Sequence, residues 1–247
     1  MRFAFIALFL MFGSQAGAEC GKLCDHNWWK SATEGHVQAE IDAGADVMAR
    51  DEDGFTPLHW AAEMGTPANI QVLLDAGADV MVRDKYGSTP LHWAAGWGTP
   101  ANIQALLEAG AEVMARDKDG WTPLHSAARY GTRANIQALL AAGADVMVPD
   151  MGGDTPLHWA AGWGTPANIQ ALLDAGADVM AQAENGDTPL HRAAKWGTPA
   201  NIQVLIDAGA DGKAKNKNGE TPWDSAQENE ELKGTAAYWA LNDARLN

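Results

Sequence analysis

The tetrapeptide Thr-Pro-Leu-His begins at residues 56, 89, 122, 155 and 188, and Thr-Pro-Trp begins at 221. Ala-Gly-Ala followed by Asp or Glu begins at 43, 76, 109, 142, 175 and 208. Both series advance in steps of 33 residues. A fixed step of this size describes an array of small units. Each is too short to bury its apolar face alone, so it must bury that face against its neighbours.

Local rules build the unit. Thr56 is a helix N-cap, and Pro57 fits the first helical position, where no backbone donor is needed. Leu58, Ala61 and Ala62 follow at i, i+3 and i+4 and make one apolar stripe, which Gly65 ends. Thr66-Pro67 repeats the device for a second helix with the stripe Ile70, Leu73 and Leu74, closed by Gly77. Ten of the eleven prolines lie in such Thr-Pro starts, so the device is general to the chain. The remaining residues of each unit are polar and rich in turn formers, with Asp-Gly or Asn-Gly at 53–54, 119–120, 185–186 and 218–219. The unit therefore reads as helix, turn, helix, extended loop.

A period of 33 with TPLHWAA, a central glycine and Gly-Ala-Asp resembles the ankyrin repeat over nearly all of the chain. The resemblance implies an all-α ankyrin-repeat solenoid of stacked helix-turn-helix units with extended β-turn loops, acting as a non-enzymatic protein–protein interaction module. Five full repeats are expected at 53–85, 86–118, 119–151, 152–184 and 185–217. A linker and shortened capping repeat are expected at 19–52, and a C-terminal cap at 218–247. In that cap Leu-His is replaced by Trp223-Asp224, and Glu228, Glu230 and Glu231 suit a solvated outer face. The resemblance also implies that His59, His92, His125, His158 and His191, with their threonines, hydrogen-bond within and between repeats. There are departures. Gly-Thr stands where the family has Gly-His, and Arg133 follows Thr132 in place of proline. Methionine stands at 48, 81, 114, 147 and 180 where the family has asparagine. The methionine column reads as gap-filling packing, with a soft partner surface as the alternative.

Residues 1–18 read as a cleavable signal peptide: Arg2, the apolar run FAFIALFLMF at 3–12, and Ala16-Gly17-Ala18 as the cleavage site. The run of ten is too short to span a bilayer. Glu19 before Cys20 argues against lipoprotein processing. The expected product is exported, in the periplasm or secreted, of bacterial type, with no membrane insertion after cleavage. Cys20 and Cys24 are then expected to form a structural disulfide in an oxidising compartment. Their C-x3-C spacing differs from the C-x-x-C of thiol oxidoreductases. The net charge of −15 argues against nucleic acid and anionic membranes as partners.

No signature of an enzyme or of a cofactor site stands out. G-x-S-x-G, a Walker loop, H-E-x-x-H and the dinucleotide-binding glycine pattern do not occur. The five repeated histidines belong to helices about 8–10 Å apart, too far to share one ion. Asp51-x-Asp53-Gly54 and Asp117-x-Asp119-Gly120 look like the start of a calcium loop but lack its later ligands, so a turn is expected. No cofactor and no metal are expected.

The aromatic residues carry the functional expectation. With Leu58 at zero on a helical wheel, Trp60 and Met64 fall at about 200° and 240°, away from the apolar stripe. Trp93 and Trp97, Ser126 and Tyr130, Trp159 and Trp163, and Arg192 and Trp196 repeat these positions. Stacked repeats would align them in two columns. In the family this side of the first helix, with the loop, lines a concave partner-binding surface. Phe55 and Trp121 in the loops would widen it. The candidate partner-binding residues are Phe55, Trp60, Met64, Trp93, Trp97, Trp121, Tyr130, Trp159, Trp163, Arg192 and Trp196. Aromatic rings with arginine suit a binding hot spot, and stacking between repeats would equally stiffen the array. A protein that binds or acts on an envelope glycan, and a purely structural spacer, are the other readings.

Overall fold

Each Thr-Pro dipeptide becomes a helix start. The computed structural model describes residues 21–246; the expected signal peptide and Cys20 lie outside the described residues. Among the described residues are thirteen α-helices, two short 3-10 turns and no strand. Helix α1 (Glu34–Asp42) precedes five helix pairs. These are α2 (Pro57–Met64) with α3 (Pro67–Asp75), α4 (Pro90–Gly96) with α5 (Pro100–Glu108), and α6 (Pro123–Tyr130) with α7 (Arg133–Ala141). Next come α8 (Pro156–Trp163) with α9 (Pro166–Asp174), and α10 (Pro189–Trp196) with α11 (Pro199–Asp207). Helices α12 (Pro222–Ala226) and α13 (Ala236–Leu246) follow. No described helix is long and apolar enough to cross a membrane.

The chain divides between Glu112 and Val113 into two compact units. In the first, α2 packs on α4 and α3 on α5, so like helices stack on like. In the second, α6, α8, α10 and α12 form one row, and α7, α9, α11 and α13 the other. The apolar stripes face inward. Leu58, Ala61, Ala62, Ile70 and Leu73 are fully buried, as are Leu157, Ala160, Ala161, Ile169 and Leu172. Full burial of a Leu or Ile side chain stabilises by about 1.5–3 kcal/mol. The alanines bring neighbouring first helices close. A Cβ on Gly197, at the turn after α10, would lie 2.5 Å from the Ala161 carbonyl of α8, so this position tolerates no side chain.

Polar side chains join one repeat to the next. The Thr56 N–H donates to His59 Nδ1 at 3.1 Å, which fixes that nitrogen as an acceptor and puts the ring proton on Nε2. Nε2 then donates across to the Ser88 carbonyl at 3.2 Å. In the second unit His125, His158 and His191 reach the carbonyls of Asp154, Asp187 and Glu220 at 3.0–3.2 Å. Burial lowers His59, His125 and His158 from 6.5 to about 4 and lowers His191 as well. The second helices contribute asparagines. Asn168 Nδ2 donates to the carbonyls of Ala128 and Gly131, and Asn201 Nδ2 to those of Ala161 and Gly164. These are carbonyls at or just beyond a helix C-terminus, which lack intrahelical donors.

The methionine column does more than fill space. Met48 and Met81 Sδ accept the backbone N–H of Asp79 and Glu112 in the first unit. Met114, Met147 and Met180 accept those of Asp145, Asp178 and Asp211 in the second. The N···S distances are 3.2–3.4 Å. At the loop tips, Asp51 Oδ1 accepts the N–H groups of Asp53 and Phe55, so the acidic motif closes a turn. One backbone bond ties successive tips: Lys85 N–H to the Asp53 carbonyl in the first unit, and Glu184 N–H to the Gly152 carbonyl in the second.

Candidate functional site

The wheel put the aromatic positions off the buried stripe, and the structure grades them by depth. Trp60, Trp93, Trp159 and Arg192, at the earlier helical position, are half-buried, as is Met64. Trp97, Tyr130, Trp163 and Trp196, one turn later, are 39–46% exposed. Phe55 is buried, and Trp121 is half-buried.

In the first unit Phe55 is the hub. Its ring meets Trp60 at 5.0 Å and Trp93 edge-on at 4.7 Å. Trp93 stacks on Trp97 at 4.8 Å, so the outer ring rests on an inner one. The Trp93 indole N–H donates to Asp84 Oδ2 at 3.0 Å, which fixes the ring plane. His26 packs edge-on against Trp60 at 5.1 Å. The Trp60 indole nitrogen is buried and makes no hydrogen bond.

The second unit carries the larger cluster. Trp121 meets Trp159 at 4.4 Å, Trp159 stacks on Trp163 at 4.9 Å, and Trp163 stacks on Trp196 at 4.9 Å. The Trp159 indole N–H donates to Asp150 Oδ2 at 2.9 Å, the same anchor that Asp84 gives Trp93. Arg192 lies over Trp196 at 5.2 Å and grips Asp154 with Nε and Nη2, both at 2.9 Å. Asp187 lies 3.7 Å from the same guanidinium. Burial pushes the Asp154 carboxyl up to about 6, against the opposing pull of Arg192.

Two basic residues here were not among the sequence candidates. The Arg129 guanidinium carbon sits 4.7–5.6 Å from the rings of Trp121, Tyr130, Trp159 and Trp163. Lys195 Nζ sits 5.2 Å from the Trp196 ring. The available signal was a break in the repeat: Ser126 and Arg129 lie in the one first helix whose early position carries neither tryptophan nor arginine. At the N-terminus Cys24 is disulfide-bonded. Cys20, the partner expected for it, lies outside the described residues.

The description Ankyrin repeats (3 copies) matches residues 29–117, 103–183 and 164–238. The chain therefore belongs to the ankyrin repeat family. It is similar to the solved structure of the ankyrin repeat domain of Bcl-3, described as a unique member of the IkappaB protein family. That match has 31% identity and a TM-score of 0.64, and covers 81% of this chain and 92% of that one. It is also similar to the human ASB11 ankyrin repeat domain, at 29% identity and a TM-score of 0.74, covering 89% and 96%. A comparison with curated proteins found no match. Repeats of this family generally mediate protein–protein interaction and are generally not catalytic.

Proposed function

We propose that this chain is an exported, non-enzymatic binding module that holds a protein partner on the aromatic face of its first helices and loop tips. In the family's arrangement that face is the concave one. The observation that carries the reading is the graded depth of the rings. An inner ring, held by a carboxylate at its indole N–H, supports an outer ring left 39–46% exposed. Rings that served packing alone would be covered. Outer tryptophans held in one orientation are preorganised apolar surface, which lowers the entropy cost of association. Aromatic and arginine side chains also dominate binding hot spots.

The signal-peptide pattern at 1–18 is the basis for export, with the mature chain starting at Glu19. The test uses protein purified after export, its N-terminus checked by mass spectrometry, as bait in a native envelope extract. A variant with Trp93, Trp97, Trp159 and Trp163 replaced by alanine runs in parallel. A partner retained by the first and lost by the second, with equal helical circular dichroism, is the expected result. Equal retention by both would remove the aromatic face from the binding role.

A further inference from the structure

In a repeat array, specificity lies where the repeat breaks its own pattern. The early position of the first helix is Trp60, Trp93, Trp159 or Arg192 in four repeats and Ser126 in the middle one. Three residues on, Arg129 stands where the other repeats have Glu63, Gly96, Gly162 and Lys195. Its guanidinium lies among four rings, and its Nε is buried without a hydrogen-bond partner. Arg50 and Arg116 each hold backbone carbonyls, and Arg133 and Arg192 each hold a carboxylate. Among the described residues no carboxylate lies within ion-pair distance of Arg129.

That vacancy stands out in a chain with 32 acidic residues against 17 basic ones. The carboxylates attached to the same cluster are committed. Asp150 holds the Trp159 indole and the N–H groups of Gly152 and Asp154, and Asp154 holds Arg192. A guanidinium stacked on rings still presents its N–H groups at its edge, in the plane that suits a carboxylate. The surrounding rings bury its Nε while the residue as a whole is half-buried, so a charged hydrogen bond made at its edge is only partly screened by water.

We propose that Arg129 receives an acidic side chain of the bound protein partner, with the exposed faces of Trp163 and Trp196 taking an apolar residue beside it. The proposal rests on the reading of the aromatic face as the partner site and names the chemistry that fits it. Because the chain as a whole is strongly acidic, a polyanion would be repelled. A single carboxylate between apolar groups is the complementary ligand.

The probe is acetyl-Leu-Glu-Leu-amide, with acetyl-Leu-Gln-Leu-amide as its uncharged twin. Each is titrated into the full chain while the Arg129 Nε–H and tryptophan indole resonances are followed by NMR. The Glu peptide is expected to move the Arg129 Nε–H and the Trp163 indole together, and to bind about tenfold more tightly than the Gln twin. R129Q should erase the difference between the two peptides, and R129K should restore it in part. Equal binding of the twins by the unaltered chain would overturn the proposal. So would indole shifts with an unmoved Arg129 Nε–H, which would leave the aromatic face standing as a binding surface. No movement by either peptide up to about 10 mM, a range that covers weak millimolar affinity, would also overturn it. Failure of the aromatic-face reading itself is seen separately, in equal capture by the Trp-substituted bait.

Discussion

At the scale of the residue, the repeated histidine makes stability depend on pH in one direction. His59, His125 and His158 each accept an N–H at Nδ1 and donate from Nε2, so a second ring proton would face the threonine donor in a buried site. Burial lowers each from 6.5 to about 4. The unfolded chain therefore takes up protons first as pH falls. The stabilisation is complete above pH 6.5 and is lost between 6.5 and 4, on the order of 3 kcal/mol for each fully buried ring. Asp154 opposes this. Its carboxyl is raised from 3.8 to about 6, so it gains stability on acidification over that window. Burial raises Glu63 in the same direction, but these two carboxyls do not offset four lowered imidazoles. The melting temperature, followed by circular dichroism, should hold from pH 8 to 7 and fall steeply from 6.5 to 4.5. A flat profile across that window would contradict the buried, neutral tautomer.

At the scale of the element, helix ends divide into those set by neighbours in sequence and those completed from a distance. Thr66 caps α3 by accepting the Asn69 N–H, three residues away. That end was legible, because the cap and the proline after it act locally. The C-terminal carbonyls of α6 are completed by Asn168, 37 and 40 residues further on. Nothing in the PANIQ string marks that asparagine as anything but a helix residue. The methionine column was legible as a period but not as a row of acceptors, because the donors belong to the next repeat. Arg129 was missed for a related reason: a wheel gives an angle and cannot say which rings will surround it. The long-range role of Asn168 can be measured. Asn168→Ala leaves two carbonyls without their side-chain donor, and should destabilise by about 2–3 kcal/mol. Asn168→Asp offers no donor and should be no better. Urea unfolding of both variants checks this, and a loss below about 0.5 kcal/mol would mean that water replaces the amide.

At the scale of the whole molecule, repetition multiplies charge as well as contacts. Asp79 and Glu112 in the first unit, and Asp145, Asp178 and Asp211 in the second, occupy one register and are all exposed. Asp75, Glu108, Asp174 and Asp207 form a second series at the ends of the second helices, where the helix dipole disfavours a negative charge. Each is held by the glutamine four residues earlier at 2.7–2.8 Å, a contact that fixes the carboxylate without neutralising it. Neighbouring repeats place like charges about 10 Å apart, close to the Debye length in 0.1 M salt. Ion pairs do little to compensate: among the described residues the pair that touches this second series, Arg133 with Asp174, is 3.4 Å long and exposed on both sides. Repulsion along the acidic columns should therefore oppose folding at low ionic strength and fade as salt screens it. Raising sodium chloride from 10 to 500 mM at pH 7.5 should raise the melting temperature, by roughly 2–4 °C for each kcal/mol relieved. Potassium chloride should act equally, because screening depends on ionic strength and not on a bound ion. A fall in melting temperature with salt would mean that the cation–carboxylate contacts, led by Arg192 with Asp154, outweigh the columns.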